Sequence, residues 1–326
     1  MAILVTGVAG FIGFHIAKTL LERGDRVVGI DNLNDYYDVR LKRARLAELH
    51  GCRGFSFAQV DVANRDDVFA LVDLNKELRS IIHLAAQAGV RYSLENPYAY
   101  IDANVTGTLV MLDAARRIDN LTAVTYASSS SVYGGNRKQP FSVGDRVDEP
   151  VSLYAATKRS CELIAHTYAH LYALPATGLR YFTVYGPWGR PDMAAYLFTR
   201  AILAGEPIKV FNEGRMARDF TYIDDIVAGT VAAHDRPPAA SDEVPHRIYN
   251  LGNHRPEKLL DFIAVIERAL GRTAIKELLP LQLGDVPVTS ADIETSRRDL
   301  GFEPTTTIEV GLVRFVEWYK WYHEMN

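Results

Sequence analysis

Three glycines near the start of the chain constrain its fold more than any other feature. The stretch TGVAGFIGFHIAKTLLERG places Gly7, Gly10 and Gly13 three residues apart, between an apolar strand-like run and a helical pattern. A β-carbon at such positions would block close backbone approach, and the first amides of the helix can face a pyrophosphate. A glycine triplet alone is a weak signal. A strand before it and a helix after it are the context that a dinucleotide-binding βαβ unit requires.

An acidic residue stands where a dinucleotide site needs one. Asp31 ends the second apolar run, VVGID, 18 residues after Gly13. A carboxylate there can accept hydrogen bonds from both ribose hydroxyls of an adenosine and would repel a 2′-phosphate. We therefore expect NAD rather than NADP as the cofactor. Asp61 and Val62, at the end of the next strand, either flank the adenine or simply begin a turn.

The first half of the chain alternates short apolar runs with helical patterns. This alternation predicts βαβ units and a parallel sheet, and near-continuous apolar strands such as SIIHLA predict that both faces are covered. We predict an α/β fold, a Rossmann-like doubly wound parallel sheet with a smaller α/β C-terminal substrate domain. The cofactor domain is expected at 1–181 with a returning segment near 220–255. The substrate domain is expected at 182–326, where Gly, Pro, Trp and Arg enrich the loops.

Composition argues against several classes of partner. The 326 residues carry a formal net charge of −4 and no block of Lys or Arg, so no nucleic-acid partner is expected. No apolar stretch approaches the roughly 20 residues that span a bilayer, and the chain begins without a charged leader, which predicts a cytoplasmic protein. Cys52 and Cys161 have neither metal nor redox spacing, so reduced thiols and no metal site are expected.

A tyrosine and a lysine four residues apart suggest acid–base chemistry. Tyr154 and Lys158 lie in the helical pattern SLYAATKRSCELIAHTYAHLY, so they share one helix face. A phenol with a pKa of about 10 is a poor base at neutral pH. A neighbouring ammonium and an oxidised nicotinamide would lower that pKa, so that Tyr154 can take a proton from a substrate hydroxyl while hydride leaves the same carbon. The pair alone is weak, but it follows a glycine fingerprint and a serine-rich strand.

Several of these segments together point to a known superfamily. TGVAGFIG, HLAAQAGV, NVTGT, SSSSVYGG and YAATK resemble the extended short-chain dehydrogenases/reductases, and nearly the whole chain is similar to their nucleotide-sugar 4-epimerases. DNLNDYYDVRLKRARL, FSVGDRVDEPVSLYAATK, RYFTVYGPWGRPDM and ARDFTYIDDIV resemble UDP-glucuronate 4-epimerases in particular. The resemblance implies a triad of Ser129, Tyr154 and Lys158, with Ser129 bonded to the substrate O4. It also implies an NAD site formed by Gly7, Gly10, Phe11, Ile12, Gly13, Asp31, Asn32, Asp61, Val62, Leu84, Ala85, Ala86, Asn104, Tyr154, Lys158 and Tyr181.

The two residues after Ser129 discriminate between reactions. Related 4,6-dehydratases carry an Asp–Glu pair there, and related uronate decarboxylases keep a glutamate. Ser130 and Ser131 cannot accept a proton at ordinary pH, so C5 of the sugar has no obvious base. We predict a redox-neutral isomerase that interconverts UDP-glucuronate and UDP-galacturonate through a 4-keto intermediate. A UDP-glucose/UDP-galactose 4-epimerase, a decarboxylase or dehydratase, and a non-catalytic NAD-binding protein remain alternatives.

A 4-keto hexuronate is a β-keto acid, so the site must hold its carboxylate away from decarboxylation. Arg190 is the expected clamp, because a guanidinium matches a carboxylate bidentately, although it could instead only stabilise its loop. Thr183 could add a hydroxyl donor, and the resemblance links both positions to carboxylate binding. The resemblance also places Arg218 on the diphosphate, with Asp219 as its local partner. The other expected substrate contacts are Ser129, Ser130, Phe211, Gln282 and Asp285, with Arg91 beside the sugar pocket.

Two of these substrate positions carry an alternative. Gln282 stands where other epimerases use a basic residue, which leaves the second phosphate contact open, and Phe211 fits a buried core position as well as a uracil contact. The resemblance further implies a homodimer. Its interface is a four-helix bundle in which the helix that ends in AARR and the helix that carries Tyr154 and Lys158 pair with their copies.

Overall fold

The computed structural model describes residues 1–239, 241–282 and 286–324. Its first half alternates strands and helices, as the sequence predicts. The strands are β1 (Ala2–Thr6), β2 (Arg26–Asp31), β3 (Phe55–Gln59), β4 (Leu78–His83), β5 (Ala123–Ser129), β6 (Ala176–Tyr181), β7 (Thr183–Tyr185), β8 (Ile208–Phe211), β9 (Ala217–Tyr222), β10 (His246–Leu251), β11 (Pro256–Lys258) and β12 (Lys276–Leu279).

The helices flank these strands. The α-helices are α1 (Phe11–Glu22), α2 (Val39–His50), α3 (Arg65–Leu74), α4 (Tyr92–Glu95), α5 (Pro97–Tyr100), α6 (Gly107–Ala115), α7 (Leu153–Tyr172), α8 (Ala194–Ala204), α9 (Ile223–Asp235), α10 (Leu259–Leu270), α11 (Glu294–Leu300) and α12 (Ile308–Tyr322). A π-helical segment, Ile101–Thr106, precedes α6, and short 3₁₀ turns cover Ser130–Tyr133 and Asn212–Gly214. Across the described ranges, no helix combines the length and apolar character needed to cross a membrane.

The central sheet has the strand order of a dinucleotide-binding fold. Its strands are all parallel and run β3-β2-β1-β4-β5-β6-β10. The order reverses between β1 and β4, and ligands of such sheets bind beyond the carboxyl ends of the strands at this switch point. The predicted Rossmann-like doubly wound α/β fold is confirmed.

Apolar residues cover both faces of the sheet because side chains alternate along each strand. In β1, Ile3 and Val5 join the core shared with α1 and α9, whereas Ala2 and Leu4 join the core shared with α3, α6 and α7. This explains why the strand reads as a continuous apolar run in the sequence. Helix α7, which carries Tyr154 and Lys158, therefore packs on the face opposite to α1, the helix that follows the glycine-rich loop.

The C-terminal half builds smaller sheets around the same framework. Strands β11, β9 and β7 form one sheet and β12 pairs with β8 in another. Strand β10 pairs with β6 of the central sheet, in the region where a returning segment is expected. The division at 181/182 stays a prediction, since one apolar core runs through residues of both halves.

Candidate active site

The glycine-rich loop forms a cradle that side chains would fill. Gly7 has a φ of +68°, and a β-carbon there would lie 2.8 Å from the Ala85 amide nitrogen. A β-carbon on Gly13 would lie only 2.2 Å from the Gly7 carbonyl oxygen. The loop follows β1 and leads directly into α1, which begins with Phe11 and Ile12. This bare backbone at a helix N-terminus fits a pyrophosphate.

Asp31 lies beside this cradle at the carboxyl end of β2. Its carboxylate accepts hydrogen bonds from the amides of Ala9 (3.2 Å) and Leu33 (2.8 Å). Lys42, which the sequence reasoning missed, brings its Nζ to 3.8 Å from Asp31 and donates to Asn34 (2.8 Å). Burial lowers the pKa of Lys42, although Asp31 opposes this shift. The signal for Lys42 was its place in the segment DNLNDYYDVRLKRARL.

The residues expected around the adenine and ribose lie at the same sheet edge. Asn32 donates to the Asp61 carboxylate (2.9 Å), which also accepts from the Ala63 amide, so Asp61 does serve as a turn residue. Val62 is buried. After β4, the amides of Leu84 and Ala85 donate to the Thr6 hydroxyl, and Ala86 follows them.

Two residues expected at the cofactor have side chains that are engaged within the protein. Asn104, in the π-helical segment, donates to the Gln87 carbonyl (3.1 Å) and to Thr157 (2.9 Å) and accepts from the Gln87 amide. The Tyr181 hydroxyl is buried and shares a hydrogen bond with Thr230 (2.9 Å). Their contact with the cofactor stays a prediction. Asn104 would make it through its backbone, and Tyr181 through its backbone or ring.

Two of the three expected triad residues, Ser129 and Lys158, lie at the carboxyl end of β5. Ser129 ends that strand, and its hydroxyl donates to Ser131 Oγ (3.0 Å) and accepts from the Ser131 amide. Lys158 is buried and donates to the Ala127 carbonyl (2.9 Å), which leaves two ammonium hydrogens for other partners. Tyr154 is half-buried one turn earlier on α7, with its ring edge-on to Tyr100. The arrangement suits a phenol–ammonium pair that acts on a substrate hydroxyl.

A buried ion pair behind the triad was missed from the sequence. Glu162 lies one turn beyond Lys158 and accepts from Arg180 through both carboxylate oxygens (2.8 and 2.9 Å) and from Ser128 (2.6 Å). Burial opposes ionisation of Glu162, but the hydrogen bonds and charge of Arg180 outweigh it and keep the pKa of the carboxyl below its usual value. Ser128 thus does more than precede Ser129, since it ties β5 to α7.

Arg190 lies in the loop that follows β7, in a cleft that Thr183 and Met193 also line. Its Nε donates to Asp192 Oδ1 (3.0 Å) and its Nη2 to Asp192 Oδ2, while the Tyr36 hydroxyl donates to the same carboxylate (3.1 Å). Burial disfavours the charge of Arg190, yet Asp192 keeps its pKa above the ordinary value. Arg190 therefore does form the local ion pair that was the alternative to carboxylate binding. Asp192 occupies one edge of its guanidinium.

Buried Arg45 fastens the Arg190 loop to the glycine-rich loop. Its Nη1 donates to the Ala9 carbonyl (2.8 Å), and its Nη2 to the Trp188 carbonyl (2.6 Å). From α1, His15 Nε2 forms a hydrogen bond with the Pro187 carbonyl (2.9 Å). The cofactor cradle and the expected carboxylate clamp are therefore held as one unit.

Of the remaining predicted substrate residues, Arg218 lies in β9 and Phe211 ends β8. Arg218 donates to the carbonyls of Ala217 (3.1 Å) and Pro287 (3.0 Å). The guanidinium of Arg91 lies 4.8 Å from the ring centre of Phe211. Gln282 lies at the edge of the described residues, and Asp285 lies outside them.

Asp219 acts as a junction of chain segments. Its buried carboxylate accepts hydrogen bonds from the amides of Asn253 and Ala291, from the His254 amide and from the Thr221 hydroxyl. Instead of serving mainly as a local partner of Arg218, as the sequence suggests, it ties β9 to the segments after β10 and before α11. This role depends on tertiary structure, because the amides that bind Asp219 come from distant parts of the chain.

Comparison with known proteins places these features in a family context. The model of the NAD dependent epimerase/dehydratase family matches residues 3–252. A probable UDP-glucuronate 4-epimerase of Rhizobium meliloti (strain 1021) is 49% identical, covering 98% of this chain and 97% of that protein. UDP-glucuronate 4-epimerase 4 of Arabidopsis thaliana is 48% identical, covering 99% of this chain and 76% of that protein.

A solved structure is also similar over the full length. The UDP-glucuronic acid 4-epimerase from Bacillus cereus, in complex with UDP-glucuronic acid and NAD, is 35% identical with a TM-score of 0.90. The match covers 99% of this chain and 100% of that chain. The similarity therefore includes the C-terminal half as well as the central sheet.

Proposed function

Because the chain belongs to the NAD dependent epimerase/dehydratase family, we propose that it is an NAD-dependent isomerase that interconverts UDP-glucuronate and UDP-galacturonate. The observation that carries this assignment is the fastening of the Arg190 loop to a dinucleotide cradle next to Ser129, Tyr154 and Lys158. Relatives that bear the name UDP-glucuronate 4-epimerase at 48–49% identity support the same substrate. The resemblance inferred from the sequence is confirmed at the family level.

The triad supplies the proton chemistry of the proposed reaction. Tyr154 takes the proton of the substrate O4, Ser129 holds that oxygen by a hydrogen bond, and Lys158 stabilises the phenolate. The chemistry that NAD supplies when bound is reversible removal of a hydride from C4. After the 4-keto sugar turns in the pocket, Tyr154 returns its proton to O4 of the other epimer. No net oxidation of the sugar results.

The serines after Ser129 keep the keto sugar from elimination. Elimination across C5 and C6 needs a base at C5, and neither Ser130 nor Ser131 can accept a proton at ordinary pH. Ser131 is instead hydrogen-bonded to Ser129. This supports epimerisation over dehydration.

Arg190 is the proposed partner of the substrate carboxylate. Loss of CO₂ from the 4-keto uronate requires the C5–C6 bond to align with the carbonyl π-system, so a fixed carboxylate orientation protects the intermediate. A guanidinium whose fork is partly buried can impose such an orientation through two parallel hydrogen bonds. Thr183, in the same cleft, is a second donor in this proposal.

The proposal is tested by supplying UDP-glucuronate to the purified protein without added cofactor and separating the two epimers. UDP-galacturonate should accumulate, whereas faster turnover of UDP-glucose would replace the uronate assignment by the neutral-sugar one. Release of CO₂, or solvent deuterium at C5, would instead indicate a decarboxylase or dehydratase. Tyr154→Phe should retain NAD and lose epimerisation; retained activity would refute Tyr154 as the base.

We infer a homodimer through a four-helix bundle of α6, α7 and their copies. These helices present large apolar side chains to solvent, among them Leu109, Leu163, Leu171 and Tyr172. Contiguous exposed apolar surface is typical of an interface. Light scattering should give twice the chain mass, and Leu163→Glu should shift the protein to a monomer; an unchanged dimer in that variant would contradict this interface.

The proposed location is the cytoplasm. Cys52 and Cys161 are both free thiols, as is common in reducing compartments. Cell fractionation followed by immunoblotting tests this: the protein should follow a cytoplasmic marker, and recovery with secreted proteins would contradict the proposal.

A further inference from the structure

Two side chains hold the Arg190 guanidinium from one side. Asp192 engages its Nε and Nη2, and the Tyr36 hydroxyl donates to Asp192 Oδ2 at 3.1 Å. Tyr36 belongs to the DNLNDYYDVRLKRARL segment, far from Arg190 in sequence. The side chains of Arg190 and Asp192 are 20% and 29% exposed, so the pair is mostly buried but still reachable from solvent. Tyr36, Asp192 and Arg190 form a chain of hydrogen bonds that links the N-terminal half to the Arg190 loop.

This chain leaves one edge of the guanidinium for a ligand. An arginine has five N–H donors in a planar fork, and Asp192 uses the edge that carries Nε and Nη2. Among the described residues, Nη1 has no hydrogen-bond partner and is not a buried unsatisfied atom. The free edge can therefore make two parallel hydrogen bonds to a carboxylate.

Gly89 and Tyr100 connect the held guanidinium to the proposed catalytic tyrosine. A β-carbon on Gly89 would lie 3.0 Å from the Tyr36 hydroxyl and 3.8 Å from Arg190 Nη2. The Gly89 carbonyl accepts a hydrogen bond from Tyr100, whose ring is 6.0 Å from that of Tyr154. Gly89 thus lies between the guanidinium and Tyr100, whose ring packs against the proposed base.

We propose that Tyr36 and Asp192 are positioning residues that fix the free edge of Arg190 for the sugar carboxylate and so set the preference for uronates over neutral sugars. The inference rests on the proposed function, because it concerns how the same site recognises its substrate. Asp192 alone would offset the charge of Arg190 and weaken its attraction for an anion. Its geometry nevertheless removes the rotational freedom that Arg190 would lose on binding, and preorganisation of this kind increases affinity.

A second consequence concerns the fate of the intermediate. If the guanidinium is free to rotate, the carboxylate of the 4-keto sugar can also rotate into alignment with the C4 carbonyl. The C5–C6 bond then breaks, CO₂ leaves, and its electron pair forms an enolate that takes a proton at C5. The products are CO₂ and a UDP-4-keto-pentose; the hydride removed from C4 stays on the cofactor, and the proton at C5 comes from solvent. Loss of positioning should therefore increase CO₂ release per turnover.

The test uses Tyr36→Phe and Asp192→Asn in the full-length protein, with Tyr92→Phe as the matched control. The Tyr92 ring lies 4.8 Å from that of Tyr36, and its hydroxyl accepts a hydrogen bond from Asn96 rather than contacting Asp192. All three changes remove or alter a polar group in one aromatic cluster. Tyr36→Phe keeps the ring and deletes only the hydroxyl, so it reports on positioning even if Asp192→Asn does not fold.

Binding is measured by calorimetry in a Tyr154→Phe background, so that no turnover occurs. In both test variants the Kd for UDP-glucuronate should rise on the order of tenfold, whereas the Kd values for UDP and UDP-glucose should stay within twofold. With Tyr154 restored, CO₂ release per epimerisation should increase. Tyr92→Phe should match the parent protein in every assay.

The outcomes separate the inference from the function on which it rests. Equal weakening of UDP-glucuronate and UDP-glucose, or no change in either, would overturn the positioning role while leaving the epimerase assignment intact. If the parent protein does not prefer UDP-glucuronate at all, the proposed function fails and the inference fails with it. A selective loss of uronate binding with increased CO₂ release would support both.

Discussion

Replacing Glu162 by alanine should strongly destabilise the protein. The Glu162 and Arg180 side chains are only 1% and 3% exposed, and they are joined by two hydrogen bonds. Removing one partner of a buried ion pair leaves an uncompensated charge and costs about 3–5 kcal/mol. Ser128 loses its acceptor as well, which adds about 1 kcal/mol. A decrease of at least about 3 kcal/mol in the free energy of unfolding is expected.

Urea denaturation followed by tryptophan fluorescence measures this loss. The matched control is Arg159→Met. Arg159 is a second partner of Glu162, and its own side chain is 29% exposed. This variant should lower the free energy of unfolding by no more than about 1 kcal/mol. The double variant Glu162→Leu/Arg180→Met should recover most of the stability, because no buried charge remains unpaired. If Glu162→Ala unfolds within about 1 kcal/mol of the parent protein, or if the double variant is no more stable than the single one, the reasoning is wrong.

Three further predictions follow from the same geometry. Gly13→Ala should abolish NAD binding because its β-carbon would lie 2.2 Å from the Gly7 carbonyl, whereas Gly51→Ala, with its nearest neighbour at 3.5 Å, should bind NAD normally; absorbance of the cofactor released on denaturation measures both. The lowered pKa of Glu162 predicts a contribution to stability that is present above pH 4.5 and is lost as the pH falls through the folded pKa. The free energy of unfolding of the parent protein, measured against pH, should therefore decrease over this range. The decrease should be smaller in the Glu162→Leu/Arg180→Met variant. Arg190→Met should reduce kcat/KM for UDP-glucuronate at least tenfold and spare UDP-glucose, and equal losses in coupled assays would argue against a carboxylate clamp.

The parts of the site that sequence spacing determines were predictable. Three-residue spacing of glycines after a strand fixes a loop geometry, and four-residue spacing places Tyr154 and Lys158 on one helix face. The same periodicity, carried one turn further, reaches Glu162. Its partner Arg180 sits on another strand, so the ion pair could not be read from the helix alone.

Contacts between distant segments could not be predicted from local patterns. Tyr36 and Asp192 are 156 residues apart, and Asp219 accepts hydrogen bonds from residues up to 72 positions away. Nothing in the sequence around Asp192 or Asp219 shows whether the carboxylate is a buried hydrogen-bond acceptor or a turn residue. The resemblance to a family predicted Arg190 as a ligand residue but did not show that the Asp192 carboxylate already holds one edge of its guanidinium.

The bridge made by Arg45 limits how substrate preference can be transplanted between related enzymes. The Arg190 loop belongs to the C-terminal half in sequence, yet it is anchored by Arg45 of α2, which also donates to the Ala9 carbonyl. A chimera that exchanges only residues 182–326 would separate the loop from its anchor. Recombination should therefore carry the segment 31–46 together with the loop, so that the two inherited pieces match.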